Sequence, residues 1–257
     1  MLKNYLFALF LLVWQIPVNA GDSNTRANTI NLANQNWLPF AGEALKEHGI
    51  LSLITKEAFA TQGIKVNYDF IPFESALDLT KKGQIDGMAA WTQLRQWSDE
   101  LLYSDPIMKH ELVIYKRLYA NLETTPVSKL FGKSIGVQRG YNYTELLNTL
   151  IEKDRIKPVY ADGPEESFYH LLTGKVDFCV ATQLGGQATL NKNFSPSEIG
   201  ALAQVPSEFT MVPSYLILSK KKAKSQELLT KLNQGLKTIQ ENGTYNRLVA
   251  DFLANKY

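Results

Sequence analysis

One four-residue pattern occurs twice in this chain, first as Gly83-Gln84-Ile85-Asp86 and later as Gly174-Lys175-Val176-Asp177. Each copy closes a stretch of helix-like polarity and opens an apolar run. The first run is Gly87-Met88-Ala89-Ala90-Trp91, the second Phe178-Cys179-Val180-Ala181. Glycine suits the residue just past a helix, where φ is positive. A branched apolar residue soon after it suits entry into a buried strand. Two such helix-to-strand passages in one chain predict two similar α/β lobes.

Residues 1–20 read as a secretory signal peptide. Lys3 supplies the charge, Tyr5 to Val13 the apolar stretch, and Val18-Asn19-Ala20 a small-residue cleavage site. A membrane anchor needs about 20 apolar residues, and Gln15 and Pro17 break this run too early. No cysteine follows the cleavage site, which argues against a lipid anchor. The expected product is therefore an exported, periplasmic chain, Gly21–Tyr257. A hydrophobic fraction of 45% with 20% charged residues is enough for a real core. The net charge of +2, one unit of which is Lys3, favours neither nucleic acid nor an anionic membrane as partner. Cys179 is the sole cysteine, so no internal disulfide forms, and its apolar setting predicts a buried packing role.

Strand and helix periodicities alternate along the rest of the chain. Thr29 to Ala33 reads as a strand, Ile50 to Thr61 as a helix ended by Gly63, and Ile64 to Phe70 as a second strand. Phe73 to Lys82 is a helix and Ile85 to Trp91 a strand. After a strand at Glu111 to Tyr115 the order repeats: strand Gly132 to Gln138, helix Asn142 to Asp154, a short strand at Val159-Tyr160, helix Glu165 to Leu172, strand Val176 to Ala181. Ser214 to Leu218 forms a last strand before two helical segments, Gln226 to Glu241 and Tyr245 to Ala254. Such alternation predicts parallel sheets with crossover helices.

These segments carry a resemblance. Trp37-Leu38-Pro39-Phe40, Gly83-Gln84-Ile85-Asp86-Gly87, Tyr103-Ser104-Asp105-Pro106-Ile107, the run Leu130 to Gly140, and Leu228 to Leu248 with Asn233, Leu236, Gly243 and Tyr245 together resemble the family 3 periplasmic solute-binding proteins. These are the polar amino-acid-binding components of ABC transporters. The resemblance implies a periplasmic binding protein type II-like fold: two Rossmann-like α/β lobes, joined by two crossover segments, with a ligand cleft between them. Lobe 1 would span 27–115 plus 217–257 and lobe 2 118–213, with crossovers near Tyr115–Arg117 and Pro213–Leu216. The cleft would lie at the carboxyl ends of the strands, where open α/β sheets bind ligands.

The resemblance also nominates a ligand set. Trp37, where members place an aromatic over the ligand, follows the polar residues Asn34, Gln35 and Asn36, which suits a wet strand end; filling the core is the competing role. Phe40 lies in the same loop, and Trp91 ends another strand. Thr92 and Arg95 match a Thr-x-x-Arg whose guanidinium would fork onto a ligand carboxylate, although the stretch from Asp86 to Arg95 is shorter than in the family. In lobe 2, Gly140 and Tyr141 stand before a helix N-terminus suited to an anion, and Arg139 is either a second positive contact or a surface residue. Members that bind amino acids carry an acidic residue where this chain has Thr182, and many carry another where it has Asn34. A buried ammonium without a carboxylate is costly. A standard α-amino acid is therefore an awkward ligand unless Glu43, Asp162 or an aromatic face compensates.

Catalytic patterns are weak by comparison. Gly132-Lys133-Ser134-Ile135-Gly136 fits Gly-x-Ser-x-Gly, but a nucleophile elbow needs its strand before the serine, and here the strand follows. His48, His110 and His170 are scattered without zinc-ligand spacing, and no phosphate-cradling loop is present. Lys220 to Lys222 with Lys224 reads as a solvated turn. The sequence thus predicts a non-enzymatic receptor, without cofactor or metal, that closes its cleft on a small polar solute, amino acid-like or an organic acid. Its expected partners are that ligand and, by resemblance, an inner-membrane ABC permease or a membrane sensor. A monomer is expected. A cyclic-acid dehydratase on the same scaffold and a sensor lobe are the alternatives.

Overall fold

The structure, a computed structural model, describes residues 28–92, 99–139, 141 and 143–254. The expected signal peptide, Arg95 and Gly140 therefore lie outside the described residues. Its first half runs β1 (Thr29–Asn34), α1 (Ile50–Ala60), β2 (Lys65–Phe70), α2 (Phe73–Lys82) and β3 (Gly87–Trp91). A short β4 (Leu101–Tyr103) and a long β5 (Met108–Arg117) follow. The second half repeats the order with β6 (Ser134–Gln138), α3 (Glu145–Glu152), β7 (Lys157–Ala161), α4 (Pro164–Leu172) and β8 (Phe178–Thr182). The remainder is α5 (Gln183–Asn193), α6 (Pro196–Gly200), β9 (Leu202–Ser219), α7 (Ser225–Glu241) and α8 (Thr244–Leu253).

The strands pair in the order β2-β1-β3-β9-β5-β8-β6-β7, with β4 added on β9. Pairings among β2, β1 and β3, and among β7, β6 and β8, are parallel. The strands β9 and β5 run antiparallel to each other and to their outer neighbours. The two halves are mirror copies in strand order, and the β5–β9 pair joins them.

The repeated pattern has one physical job in both halves. Gly83 and Gly174 take φ of 73° and 78° where their helices end. Three residues on, the Asp86 carboxylate accepts the Asn31 N–H at 2.8 Å, while the Asp86 N–H donates to the Asn31 carbonyl at 3.3 Å. In the second half the Asp177 carboxylate accepts both the N–H and the hydroxyl of Ser134 at 2.8 Å, and its own N–H donates to the Ser134 carbonyl at 3.0 Å. Each aspartate thus clips the third strand of its half to the first, one residue before parallel pairing begins at Leu32 with Gly87 and Ile135 with Phe178. Lys222 adds a 2.6 Å ion pair to Asp86.

The apolar residues collect into two sets of cores. One draws on Ile30, Leu32, Ile54, Phe59, Leu216, Leu218 and Leu232, with a smaller satellite around Met88 and Ile217. The other draws on Leu112, Ile114, Ile135 and Phe178, flanked by a cluster of Val113, Tyr115, Phe168 and Cys179. Leu112 to Tyr115 therefore pack with the second half, because they pair with β8, whereas the sequence reading drew the boundary after Tyr115. Cys179 is buried, as its apolar run suggested.

Three further differences have clear causes. β9 spans 18 residues where only Ser214 to Leu218 read as a strand, since its length comes from pairing along β5. Helix α3 starts at Glu145, later than the expected start, because the Thr144 side chain caps it by accepting the Leu147 N–H; the expected first residue, Asn142, lies outside the described residues. Helix α5, Gln-Leu-Gly-Gly-Gln-Ala-Thr-Leu-Asn-Lys-Asn, has no amphipathic periodicity to announce it. Among the described residues no helix is long and apolar enough to cross a membrane.

Candidate functional site

A cavity of about 260 Å³ opens where the two halves meet. The first half contributes Asn36, Trp37 and Leu38 from the loop after β1. The second contributes Gln138 at the end of β6, Tyr141 and Tyr143 before α3, the first turn of α4, and the end of β8 running into α5. Carboxyl ends of parallel strands and two helix N-termini thus face one space, as the strand–helix order dictates.

Of the nominated residues, Trp37, Tyr141 and Thr182 are brought together in its wall. Trp37 bridges both roles weighed for it. It packs against the first core and also meets the Tyr141 ring across the junction, 6.4 Å between centroids. A backbone bridge between Trp37 and Ala41 holds its loop in a tight turn. Tyr141 stacks in turn on Tyr143 at 4.8 Å. Burial pushes both tyrosine hydroxyls well above their ordinary pKa, so they remain neutral hydrogen-bonding groups. Thr182 is the N-cap of α5, its Oγ1 accepting the Gly185 N–H at 3.2 Å. The absence of a side chain at Gly185 matters here. A Cβ there would lie 2.4 Å from Thr182 Oγ1, and 3.6 Å from both the Leu38 carbonyl and the Phe40 ring.

The other nominated residues are placed elsewhere. Asn34 is fully buried: its amide donates to Ser52 Oγ at 2.8 Å and its carbonyl oxygen accepts the Gln35 N–H. It holds the end of β1 to α1, and nothing of it reaches the cavity. Phe40 is 1% exposed and packs with Trp37, His110 and Phe252, so it supports Trp37 from behind. Trp91 lies against Phe73 at 4.5 Å in the β3 satellite core, and Thr92 follows it outside the cavity lining. Arg139 points to solvent, 3.3 Å from Asp162 and over the Tyr160 ring. Its side chain follows the edge strand β7, not the junction. Asp162 and Glu43, weighed as partners for an ammonium, line no part of the cavity.

Sequence reasoning missed Glu165, Ser167, Lys192, Gln138 and Tyr143 as lining residues. Glu165 and Lys192 are exposed at its rim. Tyr143 sits two residues past the expected contact Tyr141, and Thr182 before Gly185-Gly186 was an available N-cap signal for α5. Nothing local in the sequence signals Lys192. The Cys179 thiol also lines the cavity, but it donates to the Ser167 carbonyl at 3.0 Å and burial pushes it up to about 12. It is therefore no nucleophile. No group of three or more metal-ligating side chains occurs among the described residues.

Behind Trp37 stands His110, on β5. Its ring packs against Trp37 and Phe40 at 4.8 and 4.3 Å, and its Nε2 lies 3.1 Å from Ser214 Oγ on β9. Burial lowers its pKa to about 4, so it is neutral at ordinary pH.

Two α/β halves joined by a pair of crossing strands, with a cavity at the junction, define a periplasmic binding protein of type II architecture. The chain belongs to the bacterial extracellular solute-binding proteins, family 3, whose family model matches residues 32–255. No curated sequence matches it. Among solved structures it is similar to an ancestral arginine-binding protein bound to arginine, with 23% identity, a TM-score of 0.69, and coverage of 87% of this chain and 97% of the other. It is likewise similar to a probable amino-acid ABC transporter extracellular-binding protein from Bacillus subtilis, at 18% identity and TM-score 0.70, covering 89% and 99%. A histidine kinase sensor domain similar to periplasmic binding proteins aligns at 17% identity and TM-score 0.68, covering 88% and 96%. At these identities the likeness is one of fold.

Proposed function

We propose that this protein is an exported, non-enzymatic receptor that captures a small polar solute between its lobes and presents it to a membrane partner, an ABC permease by family resemblance. The observation that carries this reading is the cavity at the junction, walled by Trp37 from one half and by Tyr141 and Thr182 from the other. An aromatic face from one lobe and hydroxyls from the other can hold one ligand between them, which is the basis of cleft closure. The tyrosines and the cysteine of the wall stay protonated at neutral pH and serve as binding groups.

Thermal-shift measurements against amino acids, organic acids and polyamines test the reading. A true ligand at 100 times its Kd adds about 2.7 kcal/mol of stability, and the shift grows with concentration. Trp37→Ala should abolish that shift, and because Trp37 also packs on the first core it should lower the ligand-free melting temperature too. A concentration-dependent shift that survives Trp37→Ala unchanged would place binding outside this cavity.

A further inference from the structure

Two buried hydroxyls at the cavity's second-lobe end have a proton left to give. Thr182 is 5% exposed, and its oxygen already accepts the Gly185 N–H. Tyr143 is 9% exposed, and its oxygen accepts the Gln138 N–H at 2.9 Å. A hydroxyl has one proton to give, and neither proton has an acceptor among the described residues. Ser167, 7% exposed, stands in the same wall. Helix α5, 11 residues long, begins at this wall, so its positive dipole end lies there too. Buried donors without acceptors are costly, so they call for an acceptor from outside the chain.

An ammonium would meet the reverse of what it needs. Glu165 is the sole carboxylate among the described lining residues, and it is exposed at the rim. Its oxygens also fold back over Gly163, where a Cβ would come within 2.5 Å of Oε1. Resting on the receptor reading above, we infer that the second-lobe end of the cavity holds a carboxylate or carbonyl group. The solute is then a small carboxylic acid without an α-ammonium, and Thr182 is the residue that sets this preference.

The test is calorimetric titration of the purified protein with two pairs of probes that differ by one amino group, succinate against L-aspartate and glutarate against L-glutamate. The acid of at least one pair is expected to bind about tenfold tighter or more than its amino-acid partner. Thr182→Ser, which keeps the donor, should preserve that order. Thr182→Asp still caps α5 but can only accept, and it should reverse the order. Tighter binding of the amino acid in the wild-type protein overturns the inference and leaves the receptor reading standing. Binding of neither member of either pair, with stabilisation by a solute lacking a carboxylate, has the same meaning. Absence of any ligand across the wider screen sinks both. The wild-type comparison decides the question even if Thr182→Asp folds poorly.

Discussion

Asp86 and Asp177 illustrate how one residue sets a strand register. Each carboxylate takes a backbone N–H of the neighbouring strand that would otherwise stand unpaired where the ladder begins. Removing Asp177 leaves the Ser134 N–H and hydroxyl without that acceptor, a loss of about 1 kcal/mol or somewhat more for partly buried groups. Asp177→Ala should therefore lower the urea midpoint with an unchanged slope, and Asp86→Ala should do the same. An unchanged midpoint in both would contradict the clip. Burial raises the Asp177 pKa, but the Ser134 hydrogen bonds, with Lys133 and Arg117 nearby, outweigh it and hold the carboxylate below its ordinary value. A depressed carboxylate contributes its stability above the unfolded pKa, and this is lost as pH falls through the folded one. The Asp177 contribution should thus vanish only on the acid side of about pH 4.

At the scale of elements, close helix packing outweighs helix propensity. Gly235 lies in the middle of α7, where alanine would gain about 1 kcal/mol by propensity alone. A Cβ at that position would sit 2.1 Å from the Ala58 carbonyl oxygen of α1, which is backbone and cannot swing aside. The helices would have to separate, at a cost on the order of 1–3 kcal/mol in an otherwise well-packed core. Gly235→Ala should accordingly destabilise by roughly 1–3 kcal/mol in chemical denaturation. Gly200→Ala, at the end of α6 with nothing within 4 Å of its Cβ, should be neutral or stabilising. Equal effects from the two would mean that α1 and α7 do not approach as closely as described.

For the whole molecule, β5 and β9 carry the chain between halves, and His110 with Ser214 ties them together behind Trp37. The His110 folded pKa, about 4, lies below the ordinary 6.5 because the ring is buried. The unfolded chain therefore takes up a proton near pH 6.5 that the folded one refuses until about pH 4. Stability on this account is complete above pH 6.5, falls between 6.5 and 4, and levels off below, by on the order of 3 kcal/mol in all. His110→Phe should flatten the denaturation midpoint across that window while keeping the aromatic contacts to Trp37 and Phe40. A wild-type midpoint that stays constant from pH 7 to 4.5 would exclude this.

The duplicated α/β order, the Gly-x-[Ile/Val]-Asp passages and most element positions were legible in the sequence, because periodicity and glycine at positive φ are local properties. Trp37, Tyr141 and Thr182 stand at or within three residues of strand ends that the alternation marks, but it was the family resemblance that nominated them as ligand contacts. Helix α5 was not legible, since its stability comes from the Thr182 cap and from packing of Gly186 against Tyr115, not from an apolar stripe. Nor could local pattern tell that Arg139 turns outward to Asp162, that Asn34 is spent on Ser52, or that Glu165 and Lys192 share a rim. A side chain's direction at a strand end depends on which distant backbone groups it finds there. The chain by itself thus determined two lobes and the loops that meet between them. Only tertiary packing decided which side chains face the cavity, and that its second-lobe wall offers donors.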